Sequence, residues 1–106
     1  MATGVLGREA LTATTNTTVY TVPAATFAIV TINVTNRNAT ARDIRIALAT
    51  SGTPGNEDYI EYDTEILGNG TLERGGVVVG AGTQIIAYAS STDVSVVVYG
   101  IETATS

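Results

Sequence analysis

The sequence consists of short runs of strand-forming residues that are separated by turn-forming residues at close intervals. In the clearest run, Phe27–Asn36, every second position from Ala28 to Val34 is apolar, and Thr or Asn fills the positions between them from 31 onward. The same alternation recurs in 43–49, the run 94–101 is a further strand with Val at 94, 96 and 98 on one side, and no window carries the 3.6-residue apolar stripe of a helix. The chain therefore predicts seven or eight short antiparallel strands.

Strands of this number and length predict an all-β fold, an antiparallel β-sandwich of Greek-key or jelly-roll type, with a small barrel as the alternative. A chain of 106 residues is long enough for one domain with one core. We expect an extended N-terminal arm at 1–10, the sandwich at 11–102 and a polar C-terminal tail at 103–106. Leu11–Thr14 is a further short strand in this reading. The Gly- and Pro-rich loop 50–58 is predicted to be the connection that crosses between the sheets.

The most charged segment is Glu57–Gly76, which holds five of the ten acidic residues before Gly68. Asn69-Gly70 is a strong hairpin dipeptide because both residues tolerate positive φ. The segment predicts two strands that form a hairpin about a turn near Gly68–Thr71. Simple alternation would place Glu61, Asp63 and Glu65 on one face of the first strand.

Composition excludes several kinds of chemistry. The chain has no Cys, no His and no Lys, so it lacks the commonest general base and the usual zinc ligands. We therefore expect no enzyme activity and no catalytic residues. A net charge of −5 argues against nucleic-acid binding, which requires a basic surface. No signal peptide and no membrane span is recognised, so we expect synthesis in the cytoplasm and no membrane partner.

Carboxylates are the ligands that Ca²⁺ prefers, and Asp58, Glu61 and Asp63 are the candidates for such a site. Their spacing matches no known calcium loop, so we expect neither a metal nor another cofactor. The charges are interpreted as a solvated strand face, with Arg45 available to pair with a carboxylate of a neighbouring strand. A carbohydrate- or calcium-binding module that uses this segment and the tyrosines stays open as an alternative function.

The last two strands carry apolar residues on both sides. Such a contiguous apolar patch is expected to be covered, either by the N-terminal arm or by another subunit. Arg74 is predicted either to pair with Glu73 on the outer face or to reach an acidic surface of a partner. The predicted interface residues are Arg8, Arg74, Ile86, Tyr88, Val97 and Tyr99.

Several segments carry a resemblance to a known family. Tyr20–Pro23 leads into a strand that ends at Asn36-Arg37; Tyr59–Asp63 precedes Leu72–Arg74, and the chain closes on Val98–Glu102. Over residues 17 to 102 this pattern resembles the small virion structural proteins of tailed phages, including cyanophages.

The resemblance implies a β-sandwich on a phage particle and no catalytic residues. It implies a capsid decoration (cement) protein that bridges coat subunits, or a tail, baseplate or fibre component. The implied partners are the major capsid protein or other virion proteins. Copies of the chain itself are also expected as partners, with a trimer favoured because decoration proteins sit where capsid subunits meet. The implied location is the virion.

Overall fold

The computed structural model describes residues 2–105, which form eight β-strands and a 3-10 turn at Asn56–Asp58. The strands alternate with short connections throughout the chain, as the spacing of turn residues predicts. Their bounds are β1 Thr3–Ala10, β2 Thr17–Thr21, β3 Thr26–Asn36, β4 Arg42–Ala49, β5 Tyr59–Ile66, β6 Thr71–Val79, β7 Gln84–Ala89 and β8 Val94–Ala104.

The strands form two four-stranded sheets, the first in the order β1-β8-β3-β6 and the second in the order β2-β7-β4-β5. All neighbouring strands are antiparallel. Among the described strands, β4 and β5 alone are both consecutive in the chain and neighbours in a sheet, so every other connection passes from one sheet to the other. This strand order is that of an eight-stranded jelly roll. The predicted all-β sandwich is confirmed.

Two predicted connections are wrong. The turn near Gly68–Thr71 does not close a hairpin, because β5 belongs to the second sheet and β6 to the first. Loop 50–58 does not cross between sheets, since it joins β4 to β5 within the second sheet. The carbonyl groups of Ile66 and Leu67 accept hydrogen bonds from the Asn36 side chain, which draws the turn toward the other sheet. A turn dipeptide predicts a chain reversal but does not specify the sheet that the next strand joins.

The core lies between the inward sides of the two sheets. In β3, Ala28, Val30, Ile32 and Val34 are all buried, and in β8 every second residue from Val94 to Val98 is buried, as alternation predicts. β4 and β7 contribute from the facing sheet. Their inward residues are Ile44, Ile46, Ile85, Ala87 and Ala89.

Both chain ends differ from the prediction. Thr3–Ala10 is not a separate arm but the edge strand β1, which pairs along its length with β8. Its side chains are mostly exposed, so the sequence lacks the apolar alternation that would have indicated a strand.

Leu11–Thr14 is not a strand, because Leu11 is a buried anchor and Ala13 forms one isolated bridge. β8 continues to Ala104 and takes in part of the predicted tail, while Met1 and Ser106 lie outside the described residues.

All four edge strands break register against their neighbours, whereas the interior pairs β3–β8 and β4–β7 are regular. In β6 the break contains Gly76 at φ +68°, and in β5 it contains Asp63 at φ +51°. Such bulges twist an edge and leave it a poor template for another strand. The sheets are therefore protected against extension at their edges.

One end of the sandwich is held together by Asn36, which is fully buried. Its Nδ2 donates to the carbonyl groups of Thr40 (2.9 Å) and Ile66 (3.1 Å), and its Oδ1 accepts from the amide of Asn38 (3.0 Å). Gly68 lies against this loop so closely that a Cβ there would stand 2.0 Å from the carbonyl oxygen of Ala39. The β3–β4 and β5–β6 connections are thus locked to each other.

Candidate functional site

The outer side of the first sheet carries an apolar patch, called here the apolar face, that spans all four strands. Its central residue, Ile29 on β3, stands opposite Ile101 of β8 on one side and Val78 of β6 on the other. Val5 of β1 stands opposite Tyr99 of β8. These five side chains are 37% to 64% exposed. Large apolar side chains on four neighbouring strands form a contiguous surface, which marks an interaction site.

Polar groups surround the apolar face. The Tyr99 hydroxyl donates to a carboxylate oxygen of Glu73 at 3.1 Å, and this hydrogen bond raises the pKa of Tyr99. Arg8 stands opposite Val97 and forms no ion pair with any residue that the structure describes. It lines a shallow depression of about 390 Å³ together with Glu9, Ala10, Ser95, Val96 and Val97. A polar rim around an apolar centre is the usual composition of a protein interface.

Two of the predicted interface residues lie elsewhere. Ile86 and Tyr88 belong to β7 in the second sheet, so they do not adjoin Val97 and Tyr99, which belong to β8 in the first. The prediction treated strands adjacent in sequence as adjacent in the sheet, and the jelly-roll order separates them. Ile86 is buried within its own chain beside Ala47 and Ala49.

The outer side of the second sheet carries three tyrosines, and we call it the tyrosine face. Tyr59 packs on the small cluster of Ala47, Ala49 and Ile86 and thereby covers it. The Arg45 guanidinium lies between two rings, with its Cζ 4.3 Å from the centroid of Tyr62 and 4.5 Å from that of Tyr88. The Tyr59 and Tyr62 rings meet edge to face at 4.9 Å. Aromatic and cationic groups thus form one continuous layer.

Asp63 holds Arg45 in this position. The Arg45 Nε donates to one carboxylate oxygen at 2.6 Å and its Nη2 donates to the other at 3.3 Å. The hydrogen bond to Asp63 raises the pKa of Arg45. Asp63 reaches this geometry from a left-handed backbone conformation, which Asp, like Asn, adopts more readily than most residues other than Gly. The predicted pairing of Arg45 with a neighbouring carboxylate therefore has a defined partner.

The acidic residues of β5 do not share one face. The bulge at Tyr62–Asp63 reverses the alternation, so Glu61 stands opposite the inward Ile46 while Glu65 stands opposite Asp43 on the outer side. Glu61 accepts from the Thr64 hydroxyl at 2.7 Å and pairs with Arg74 of β6 at 3.1 Å. This ion pair joins the two sheets at their open edge. Arg74 therefore has a partner within its own chain, and that partner is not Glu73.

The remaining metal candidate, Asp58, accepts a hydrogen bond from the Gly55 amide at 2.8 Å. Between residues 2 and 105, no group of three or more Asp or Glu side chains is arranged to hold a metal ion. Each of Asp58, Glu61 and Asp63 instead has a specific donor within the chain.

Beside the tyrosine face lies a hollow of about 340 Å³, lined by Asn56, Tyr59 and Tyr62. Loop 50–58 supplies Asn56, and β5 supplies the two tyrosines. The sequence predicted the tyrosines as an alternative sugar platform but did not identify Asn56. Its position follows from the return of the loop to the strand beside β4, which the loop composition does not reveal.

Segments that carry the family resemblance contact one another. The Tyr20 hydroxyl of the first segment donates to Glu102 of the last at 2.5 Å. Burial, together with this hydrogen bond, raises the pKa of Tyr20, and the same bond lowers the pKa of Glu102. The Glu61–Arg74 pair likewise joins two of the segments. These motifs therefore fasten the sandwich together.

No helix among the described residues has the length and apolar character needed to cross a membrane. Comparison of the chain with family models, curated proteins and solved structures gave no match. The class of protein is therefore described from its fold and its surfaces. It is a jelly-roll β-sandwich that has a bare apolar face on one side and a tyrosine face on the other.

Proposed function

We propose that the protein is a non-catalytic structural protein of a tailed-phage virion, made in the host cytoplasm and placed on the capsid as a decoration protein. The observation that carries the proposal is the apolar face, which spans four strands and is left uncovered by residues 2–105. The jelly roll supports it, since this architecture is common in viral capsid proteins. Fold alone does not assign function, so the resemblance of the residue pattern to that of small virion proteins supplies the link to phage particles.

Self-association is part of this proposal. A bare apolar patch is an aggregation hazard in a free protein, and a second copy of the chain removes the hazard before the particle is reached. The bulged edge strands disfavour association by strand addition, which leaves the sheet face as the contact. We propose a homo-oligomer, with a trimer favoured by the resemblance, in which Ile29, Tyr99 and Ile101 are buried between copies.

The oligomer is tested by light scattering coupled to size-exclusion chromatography. We expect the parent chain to elute at a multiple of its 10.9 kDa mass and Ile101→Asp to elute as a monomer, because a carboxylate cannot be buried unpaired in an apolar contact. Leu67→Asp is the matched control, since Leu67 is exposed but lies outside the apolar face. A parent chain that is monomeric at all concentrations would refute the self-association.

The location is tested by quantitative mass spectrometry of purified virions. A copy number equal to that of the major coat protein, or a simple fraction of it such as one third, supports capsid decoration. A few copies to a few tens would assign the protein to the tail, baseplate or fibres, the second location that the resemblance implies. Absence from the particle would overturn the virion proposal.

Shell stabilisation is tested separately, with particles that lack the protein. Adding it back is expected to raise the temperature at which the particles lose their DNA, because a decoration protein bridges coat subunits and so binds the intact shell more tightly than the broken one. An unchanged disruption temperature would remove the stabilising role, even where the copy number supports a place on the capsid.

A further inference from the structure

We propose that the hollow beside the tyrosine face binds a neutral hexopyranose unit. This site is separate from the apolar face and does not depend on the proposed place in the virion. Its walls are Asn56, Tyr59 and Tyr62, which belong to the β4–β5 loop and to β5. The proposal concerns binding alone, with no chemical step.

The first argument is the aromatic wall. One face of the Tyr62 ring lies on the Arg45 guanidinium, yet the residue is still 56% exposed. The rest of its ring is thus open to solvent, beside a second ring that meets it nearly at right angles (82°). Open aromatic rings provide the flat apolar surface on which the C–H side of a pyranose packs, and the corner between two rings fixes its orientation.

The second argument is the supply of free polar groups around that wall. The side-chain amide of Asn56 and the hydroxyl groups of Tyr59 and Tyr62 form no hydrogen bond with any residue that the structure describes. An amide offers both donors and an acceptor, and a phenol offers one of each. Sugar hydroxyls require this mixture, because every ring hydroxyl both donates and accepts.

The third argument is rigidity. Tyr59 is fixed from below by the buried cluster of Ala47, Ala49 and Ile86. Tyr62 is fixed from the side by Arg45, which the bidentate contact with Asp63 in turn immobilises. Side chains whose rotamers are already set lose little entropy when a ligand binds.

The charge around the hollow selects among ligands. Glu57 and Asp58 follow Asn56 directly in the chain, and Arg45, the cation that contacts Tyr62, is paired with Asp63. Phosphate, sulfate and uronic-acid groups would meet repulsion at such a surface. The volume of about 340 Å³ lies at the lower end of the range of small-molecule sites, roughly 300–1,000 Å³. It therefore accommodates one or two sugar rings.

The test is saturation-transfer NMR on the full chain with the methyl α-glycosides of glucose, galactose, mannose, rhamnose and N-acetylglucosamine as probes. At least one is expected to bind with a Kd of about 1 mM, typical of a single small ligand at an open site. Tyr62→Ala is expected to weaken that binding about tenfold through loss of the ring contact. Tyr62→Phe keeps the ring and is expected to change it by less than about threefold.

Tyr99→Ala is the matched control, because Tyr99 is also an exposed tyrosine but lies on the opposite side of the sandwich. Its binding is expected to equal that of the parent chain. The proposal is overturned when none of the five glycosides shows transfer, or when Tyr62→Ala and Tyr99→Ala weaken binding equally. Should Tyr62→Ala lose its dispersed amide spectrum, Asn56→Ala decides instead: weaker binding supports the site, and unchanged binding overturns it.

Discussion

The apolar face and the tyrosine face lie on opposite sides of one sandwich, and both carry large apolar side chains at outward positions. On the tyrosine face, Ile86 is 1% exposed because Tyr59 and two alanines enclose it. On the apolar face, Ile101 is 47% exposed and nothing in the described chain covers it. Identical residue types at equivalent outward positions therefore have opposite environments.

The difference arises from one connection. Among the described strands, β4 and β5 are the consecutive pair within a single sheet, and the long loop between them brings Tyr59 back over the outer side of that sheet. The connections of the first sheet all leave for the other sheet, so none returns over its outer side. On the tyrosine face, residues of the same chain cover the outward apolar side chains. On the apolar face, we propose that a second copy of the chain covers them.

The largest expected effect contrasts the two faces directly. Ile86→Ala is expected to lower the free energy of unfolding by about 2–5 kcal/mol, because it removes buried methylene groups and leaves a cavity. Ile101→Ala is expected to change the stability of the monomer by less than about 1 kcal/mol, since its side chain is 47% exposed and its removal leaves no enclosed cavity. Urea denaturation at a protein concentration low enough to hold the chain monomeric measures both.

In the oligomer, the apolar face is expected to contribute to stability as well. At high protein concentration Ile101→Ala is expected to lower the melting temperature more than it does at low concentration, because stability then includes association. A concentration-independent melting temperature for both the parent chain and Ile101→Ala would show that the apolar face is exposed in every state, against the comparison drawn above.

A smaller effect is expected at Asn36, whose hydrogen bonds join connections that lead to both sheets. Asn36→Ala removes the donor for three carbonyl groups, those of Thr40, Ile66 and Leu67. Leaving such groups buried and unpaired is expected to cost about 1–3 kcal/mol. Asn33→Ala is the matched control, because Asn33 is a partly buried residue of the same strand whose side chain accepts a hydrogen bond from the Thr35 hydroxyl and holds no backbone carbonyl among the described residues. Equal losses in the two variants would contradict the role given to Asn36.

Hydrogen exchange on Asn36→Ala then asks whether the faces are independent. Since Asn36 joins the β3–β4 and β5–β6 connections, faster exchange is expected in both sheets at that end. Faster exchange confined to the first sheet would mean that the two faces are supported separately.

The strands were predictable because alternation is a local property. Burial of Val30, Ile32 and Ile46 follows directly from a period of two, and the confirmed fold class needs no more than this. The partners of each strand were not predictable in the same way. Asn69-Gly70 indicates a turn, but whether Leu72 continues the same sheet depends on the side chain of Asn36, which lies 30 residues before the Ile66 carbonyl group that it binds.

The surfaces were predicted less well for a related reason. Tyr99 and Val97 lie on the outer side of the first sheet, where the predicted last strand places them, whereas Arg8 lies on β1, which the sequence did not predict as a strand. Ile86 and Tyr88 were misplaced, because their location depends on sheet order and not on alternation. The bulge at Asp63 was invisible as well, since an Asp at positive φ leaves no mark on a hydrophobic pattern.

The next effect is a pH dependence, since Glu102 links the two sheets. Its carboxylate accepts from Tyr20 of β2 and from the Ala2 amide, and the first of these bonds lowers its pKa below the ordinary 4.5. A lowered folded-state pKa stabilises the fold above pH 4.5, and this stability is lost as the pH falls from there. Glu102→Gln is expected to flatten the acid side of a plot of melting temperature against pH.

Tyr20 acts in the opposite direction. Its pKa is raised above the ordinary 10.0 by burial and by Glu102, so its contribution is complete below pH 10 and is lost as the pH rises further. Tyr20→Phe is expected to reduce the loss of stability above pH 10. It also removes the Glu102 partner, so the acid side should flatten partly as well. An unaltered acid side in both variants would show that Glu102 does not couple the sheets.

The smallest effect concerns Arg74, which forms an ion pair with Glu61 at the open edge between the sheets. Arg74→Gln is expected to cost less than about 1 kcal/mol, because the Arg74 side chain is 45% exposed and solvent screens the pair. The loss should shrink in 1 M salt, where surface charges are screened. Arg8→Gln is the control, since Arg8 has no ion-pair partner among the described residues, and it should leave monomer stability unchanged.

The Arg74→Gln variant also distinguishes a subunit contact through the sheet edge from one through the apolar face. If Arg74→Gln lowers stability slightly and leaves the oligomeric mass unchanged, the arginine serves its own chain and association rests on the apolar face. If instead stability holds and the oligomer dissociates, Arg74 reaches a partner subunit, as the sequence allowed. The subunit contact would then extend from the apolar face around the edge strand β6. The edge of the sandwich would be a third surface, beside the covered tyrosine face and the exposed apolar face.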